Sequence, residues 1–149
     1  MSSAPDRALT GLKVVELARI LAGPWVGQTL ADLGADVIKV ERLGSGDIHR
    51  HVGSSRNGFS GFFHMLNRGK QSIALDLAKP EAIEIVQQLA AQTDVVIQNF
   101  RPGVVDRLGI GYEQLKTHNS GLIYLSIAGF GPDGPEASKR AYDPIIQTY

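Results

Sequence analysis

Short runs of aliphatic residues alternate with amphipathic stretches along this 149-residue chain. Residues 12–17 (LKVVEL) read as a strand bounded by Gly11. Gly23-Pro24 opens a helix that runs to Leu33. Pro suits a first helical turn, and Gly34 is placed to cap the helix end. Further strands are predicted at 36–41 (DVIKVE), 71–75 (QSIAL), 94–98 (DVVIQ) and 122–127 (LIYLSI). The clearest helix is 80–91, where Ile83, Val86, Leu89 and Ala90 fall on one face at helical spacing. Short helices are expected at 59–66, 104–108 and 112–118. Residues 42–57 are rich in Gly, Ser and Arg and read as a long loop. Residues 129–135 are turn-rich, and 142–149 begin another element.

Strands 20 to 30 residues apart with helices between them imply βαβ units and a largely parallel sheet. The fold class is therefore α/β with a largely parallel sheet. Such sheets bind ligands beyond the carboxyl ends of their strands. The unusual residues of this chain fall at those ends: 19–24, 41–50, Asp76, 99–103 and 129–135. The polar start, 1–10, reads as a loose arm before a domain at 11–149.

Hydrophobic residues make up 43% and charged residues 20%. That balance is typical of a globular chain and excludes disorder. There is no Cys, so a disulfide framework, a thiolate metal site and a Cys nucleophile are all excluded. No run reaches the roughly 18 apolar residues of a membrane span, and the start lacks an apolar signal region. The default expectation is a cytoplasmic protein with no membrane partner.

The net charge is zero, which argues against broad nucleic-acid binding. It is unevenly spread. From Lys39 to Lys70 there are six basic residues (Lys39, Arg42, Arg50, Arg56, Arg68, Lys70) against Glu41 and Asp47. This surplus of four suits a small anionic ligand better than a long polyanion.

Few motifs carry chemistry singly. Gly44 and Gly46 lie in a loop after a strand, but there is neither a G-x-G-x-x-G nor a P-loop Lys. Arg42 suits a phosphate fork or a surface ion pair. Asn99-Phe100-Arg101 suits either cofactor contacts or a strand-to-helix turn with Phe100 in the core. His49, His51 and His64 do not have metal-ligand spacing and read as loop residues in solvent. No serine sits in a G-x-S-x-G elbow. Asp143 reads as a helix N-cap in preference to a catalytic carboxylate. Trp25 reads as a core residue.

Taken in order, these segments resemble one family. GLKVVELARILAGPWVGQTLADLGADVIKVERLGSGD, NRGKQSIALDL, DVVIQNFRPGVVDRLGIGYEQL, LIYLSIAGFGPDGP and AYDPIIQ together resemble the N-terminal part of the family III CoA-transferases, from Gly11 to Tyr149. The resemblance implies the first part of a Rossmann-like large domain, incomplete at its C-terminal end, in a homodimer whose complete chains interlock. It implies transfer of CoA from an acyl-CoA to a free carboxylic acid through covalent aspartyl intermediates. The nucleophilic Asp is expected beyond Tyr149, so no catalytic residue is expected in this segment and the segment alone is expected to be inactive. Asp143 does not match that position. No metal is implied.

The resemblance also implies the CoA-binding positions. Leu21 and Ala22 lie in the loop after the first strand, where Leu21 replaces a polar Gln of formyl-CoA transferase. Arg42 and Arg107 match phosphate-contacting arginines. Leu75, Asp76, Leu77 and Ala78 match a segment lining the adenosine site, and Asn99, Phe100 and Arg101 match the next lining loop. Lys139, Arg140, Ala141 and Tyr142 match a segment near the pantetheine arm. The racemase branch of the family places a His where this chain has Tyr142. A tyrosine hydroxyl is a poor base near neutral pH, so transferase is favoured over racemase. A non-catalytic CoA- or acyl-CoA-binding module is the remaining alternative.

Overall fold

The computed structural model describes residues 7–131, 133–137 and 139–148. Five strands form one parallel sheet: β1 (Lys13–Glu16), β2 (Asp36–Arg42), β5 (Gln71–Leu75), β6 (Val95–Gln98) and β7 (Ile123–Ser126), in the order β5-β2-β1-β6-β7. The order runs outward from β1 in both directions. This is the doubly wound arrangement of a Rossmann-like sheet, and its topological switch point lies between β1 and β6.

Helices cover both faces, so the central strands must be apolar on both sides. Successive residues of a strand point to opposite faces, and the two cores divide neighbours accordingly. Val15, Val40 and Val96 join α3 (Pro80–Ala90), α4 (Val104–Arg107) and α5 (Tyr112–Leu115) through Val86, Ala90, Val105 and Leu115. Val14, Val37 and Val95 face the other way, onto α1 (Ala22–Asp32) through Ala31. All four β6 residues are buried. Leu33 ends α1, and Gly34 follows with φ +107°, a backbone conformation that glycine adopts freely.

The 42–57 stretch is more ordered than a loop. A 3₁₀ turn covers Ile48–Arg50. A hairpin pairs β3 (Ser55–Arg56) with β4 (Phe59–Ser60). Asn57 and Gly58 make its two-residue turn with φ +52° and +78°, the Asn-Gly signature of a type I′ hairpin. Phe59 therefore lies in a strand, and helix α2 starts later, at Gly61–Asn67, capped by the Ser60 hydroxyl. Of the expected arm, residues 1–6 lie outside the described residues. Residues 7–10 make a turn whose Leu9 packs on the α1-side core.

Two burial expectations are corrected. Trp25 is 62% exposed, because the buried face of α1 is taken by small residues, Gly23, Gly27 and Ala31. His49 is buried. Its N–H donates to Asp47, and its ring lies 5.2 Å from that of Phe62. His51 is exposed as expected. The final helix, α6, is Asp143–Ile146. The Asp143 side chain lies outside the described residues, so its expected capping role does too.

Candidate functional site

At the switch point the chain leaves β1 and turns sharply into α1. Ile20 holds φ +71°, a costly conformation for a β-branched residue. It persists because its neighbours are clamped. Asn99, just after β6, accepts the Arg19 N–H through Oδ1 and donates through Nδ2 to the Arg19 carbonyl. Gly23 lets α1 close onto β1, since a Cβ there would sit 2.1 Å from the Ala18 Cβ.

Three strand-end loops and one later segment enclose a cleft of about 650 Å³. Arg19, Ile20, Leu21 and Ala22 form one wall; Asn99, Phe100, Arg101 and Pro102 form the second. Ile127, Ala128, Gly129 and Phe130, after β7, form the third. Lys139, Arg140, Ala141, Tyr142, Pro144 and Ile146 close the fourth side. Gly129 makes this closure possible, because a Cβ there would fall 2.0 Å from that of Ala141.

The cleft is electropositive. Arg19, Arg101, Lys139 and Arg140 line it, and among the described residues no acidic side chain does. Such a cleft favours an anion. Arg19 lies over the Phe100 ring at 5.2 Å, and Lys139 pairs with Glu136 at 2.9 Å. Leu21 and Ala22 bring to the same wall the N-terminus of α1, which no side chain caps. A helix N-terminus of this kind also attracts negative charge.

The structure therefore gathers Leu21, Ala22, Asn99, Phe100, Arg101, Lys139, Arg140, Ala141 and Tyr142 around one cleft. Phe100 lines the cleft and also packs against the core. Arg42, Leu75, Asp76, Leu77, Ala78 and Arg107 do not line it. Arg42 ends β2 opposite Leu75 of β5, is exposed, and makes no ion pair among the described residues. Leu75 and Leu77 pack against the core. Asp76 accepts the Ala78 N–H and turns the chain toward α3. Arg107 is exposed at the end of α4. Of the third wall, Gly129 and Phe130 belong to the strand-end segment 129–135 expected beside a ligand, whereas Ile127 and Ala128, at the end of the predicted strand, are additions.

The basic surplus at 39–70 does not face a ligand as a block. Lys39 and Lys70 both reach Glu16, at 2.7 and 2.6 Å, with all three side chains buried. Lys39 Nζ also lies 3.0 Å from Asp47 Oδ2, an ion pair too poorly aligned for a hydrogen bond. Arg50 forks onto Glu41, and Arg68 pairs with Asp32. Four of the six cations are thus neutralised within the fold. Burial alone raises the Glu41 carboxyl, but hydrogen bonds from Arg50, Ser72 and the Asp47 N–H outweigh it and bring it from 4.5 to about 2.

The sequence model of CoA-transferase family III matches residues 9–149. The chain belongs to CoA-transferase family III. It is 46% identical over 156 residues to the succinate–glutarate CoA-transferase of Agrobacterium fabrum, an alignment covering 99% of this chain and 39% of that protein. It is 43% identical to the succinyl-CoA–D-citramalate CoA-transferase of Chloroflexus aurantiacus, covering 97% and 36%. A crystal structure of a CAIB/BAIF family protein from Brucella suis superposes with a TM-score of 0.91 at 53% identity, covering 97% of this chain and 39% of that one. The chain thus spans about a third to two fifths of the length of the proteins it matches. Among its described residues, no helix is long and apolar enough to cross a membrane. Nor is any group of three His, Asp or Glu placed to hold a metal ion.

Proposed function

We propose that this chain is the CoA-binding N-terminal portion of an enzyme that moves CoA from an acyl-CoA to a free carboxylic acid. The observation that carries the reading is the cationic cleft at the β1/β6 switch point, in a chain of family III. It is walled by nine of the positions that the family resemblance assigns to CoA. CoA brings phosphates, an adenine ring and an apolar arm. Arg101 and Arg140 answer the phosphates, Phe100 offers a ring face, and Leu21, Ala22 and Ala141 offer apolar contact. The Arg42 guanidinium, unpaired among the described residues at the neighbouring strand end, is assigned to phosphate as well.

The thioester carbonyl would be attacked by an Asp carboxylate, expelling CoA thiolate and leaving a mixed anhydride. The thiolate then attacks the aspartyl carbonyl of that anhydride, releasing the donor's acid as a carboxylate and forming an aspartyl-CoA thioester. The incoming carboxylate attacks this thioester and expels the thiolate, leaving a second anhydride. Thiolate attack on its acyl carbonyl gives the new acyl-CoA and frees the Asp carboxylate. That Asp is assigned to residues after Tyr149, and the active assembly to a homodimer of complete chains. The transferase reading is kept over a racemase because Tyr142, not a His, stands at the cleft. The test is intact-mass spectrometry of the protein encoded by the complete reading frame, quenched during turnover with an acyl-CoA. A CoA-sized adduct mapping to an Asp supports the proposal; none under turnover overturns it.

A further inference from the structure

The strained turn that forms the first wall of the cleft is held from beneath by two buried lysines that do not line it. Lys39 Nζ donates to the carbonyl of Ala18 at 3.0 Å, and Lys70 Nζ donates to the carbonyl of Pro24 at 2.8 Å. These two carbonyls lie on either side of residues 19–23. Glu16 ties the lysines together, one on each carboxylate oxygen. Asp47 and the Asn67 amide complete their surroundings. The fit leaves no slack, because a Cβ on Gly27 would lie 1.9 Å from Glu16 Oε2. An off-minimum residue such as Ile20 persists only where surrounding contacts over-determine it.

We propose that Lys39 and Lys70, bridged by Glu16, are positioning residues for the ligand-binding turn at 19–22. They act through the backbone at Ala18 and Pro24 and do not touch the ligand. A lysine suits the task because one ammonium donates three hydrogen bonds in different directions. It can therefore bind a carboxylate and a carbonyl at once. The pairing also links β1, β2 and the segment before β5, so the turn is held by a residue 46 positions beyond Pro24.

The experiment compares Lys70→Met with wild type in the full-length protein. Amide hydrogen exchange is read at residues 19–25 and in α3, and CoA affinity by calorimetry. Val86→Ala, which opens the far core, supplies a control of lowered stability. The expected result is that Lys70→Met raises exchange at 19–25 at least tenfold, leaves α3 unchanged and weakens CoA about tenfold. Val86→Ala lowers the melting temperature without either local effect. Exchange at 19–25 no faster than in the Val86→Ala control overturns the proposal. If Lys70→Met does not fold, Glu16→Gln with Lys70→Met removes both charges together and carries the same comparison. Only the affinity reading rests on the CoA proposal. Failure of wild type to bind CoA therefore counts against that proposal alone, and the exchange comparison still decides this one.

Discussion

Asn99 holds both backbone polar groups of Arg19. Its Oδ1 accepts the Arg19 N–H at 2.8 Å, and its Nδ2 donates to the Arg19 carbonyl at 2.7 Å. The pair joins the loops after β1 and β6 across the switch point, so the cleft's two cationic walls keep a fixed separation. An amide is required, since only Asn or Gln carries a donor and an acceptor side by side.

Asn99→Ala removes both bonds and is expected to cost about 1–2 kcal/mol of stability. Asn99→Asp keeps the accepted N–H but sets a carboxylate against the Arg19 carbonyl, in a cleft built for an anion. Calorimetry should therefore show weaker CoA binding for the Asp variant than for the Ala variant. The reverse order would mean that the side chain does not face the ligand.

Arg101 and Arg140 are expected to act as phosphate contacts of the charge-assisted kind. Each Arg→Ala change should weaken CoA by roughly 1.5–3 kcal/mol and flatten the dependence of affinity on salt. Arg42→Ala is expected to fall in the same range. An unchanged affinity for Arg42→Ala would leave that residue as surface charge only.

The Glu41 carboxyl makes a pH prediction. Its value in the fold, about 2, lies below the ordinary 4.5. The stabilisation is therefore complete above about 4.5 and is lost as pH falls toward 2. Wild type should lose on the order of 3 kcal/mol from this group over that window. Denaturant melts at pH 6 and pH 3 should show a smaller loss for Glu41→Gln. Equal losses would show that Glu41 does not control the acid limb.

Gly23→Ala tests the close approach of α1 to β1. The added methyl lands on Ala18, and overpacking of this kind costs typically 1–3 kcal/mol. Helix propensity alone would make the same change favourable. A destabilised variant supports the contact, and a stabilised one contradicts it.

The parallel sheet was legible because its central strands carry short aliphatic runs, such as Val95-Val96-Ile97 in β6, with turn residues on both sides. What the pattern hid was where charge and bulk end up. Trp25 looks like a core residue until α1 is docked and its small residues take the buried face. His49 looks like a loop residue until Phe62 covers it. Lys39 and Lys70 counted toward a basic patch, because their partner Glu16 lies in a different strand and far away in sequence. The 55–60 hairpin rests on two-residue strands, too short for alternation to register, although Asn57-Gly58 marked its turn. At the cleft, the segments 19–22, 99–101 and 139–142 were readable from family resemblance. Gly129 and Phe130 were readable as a strand-end segment, but Ile127 and Ala128 join the wall only once β7 is placed beside β6.

The central claim is that the cleft at the β1/β6 switch point takes CoA. A crystal structure of the protein with CoA tests it most directly. Density for the nucleotide is expected between Arg19–Ala22 and Asn99–Arg101, with the pantetheine arm running toward Tyr142. Density lodged at the opposite end of the sheet, near Lys13 and Gln71, or an empty cleft at saturating CoA, would contradict it.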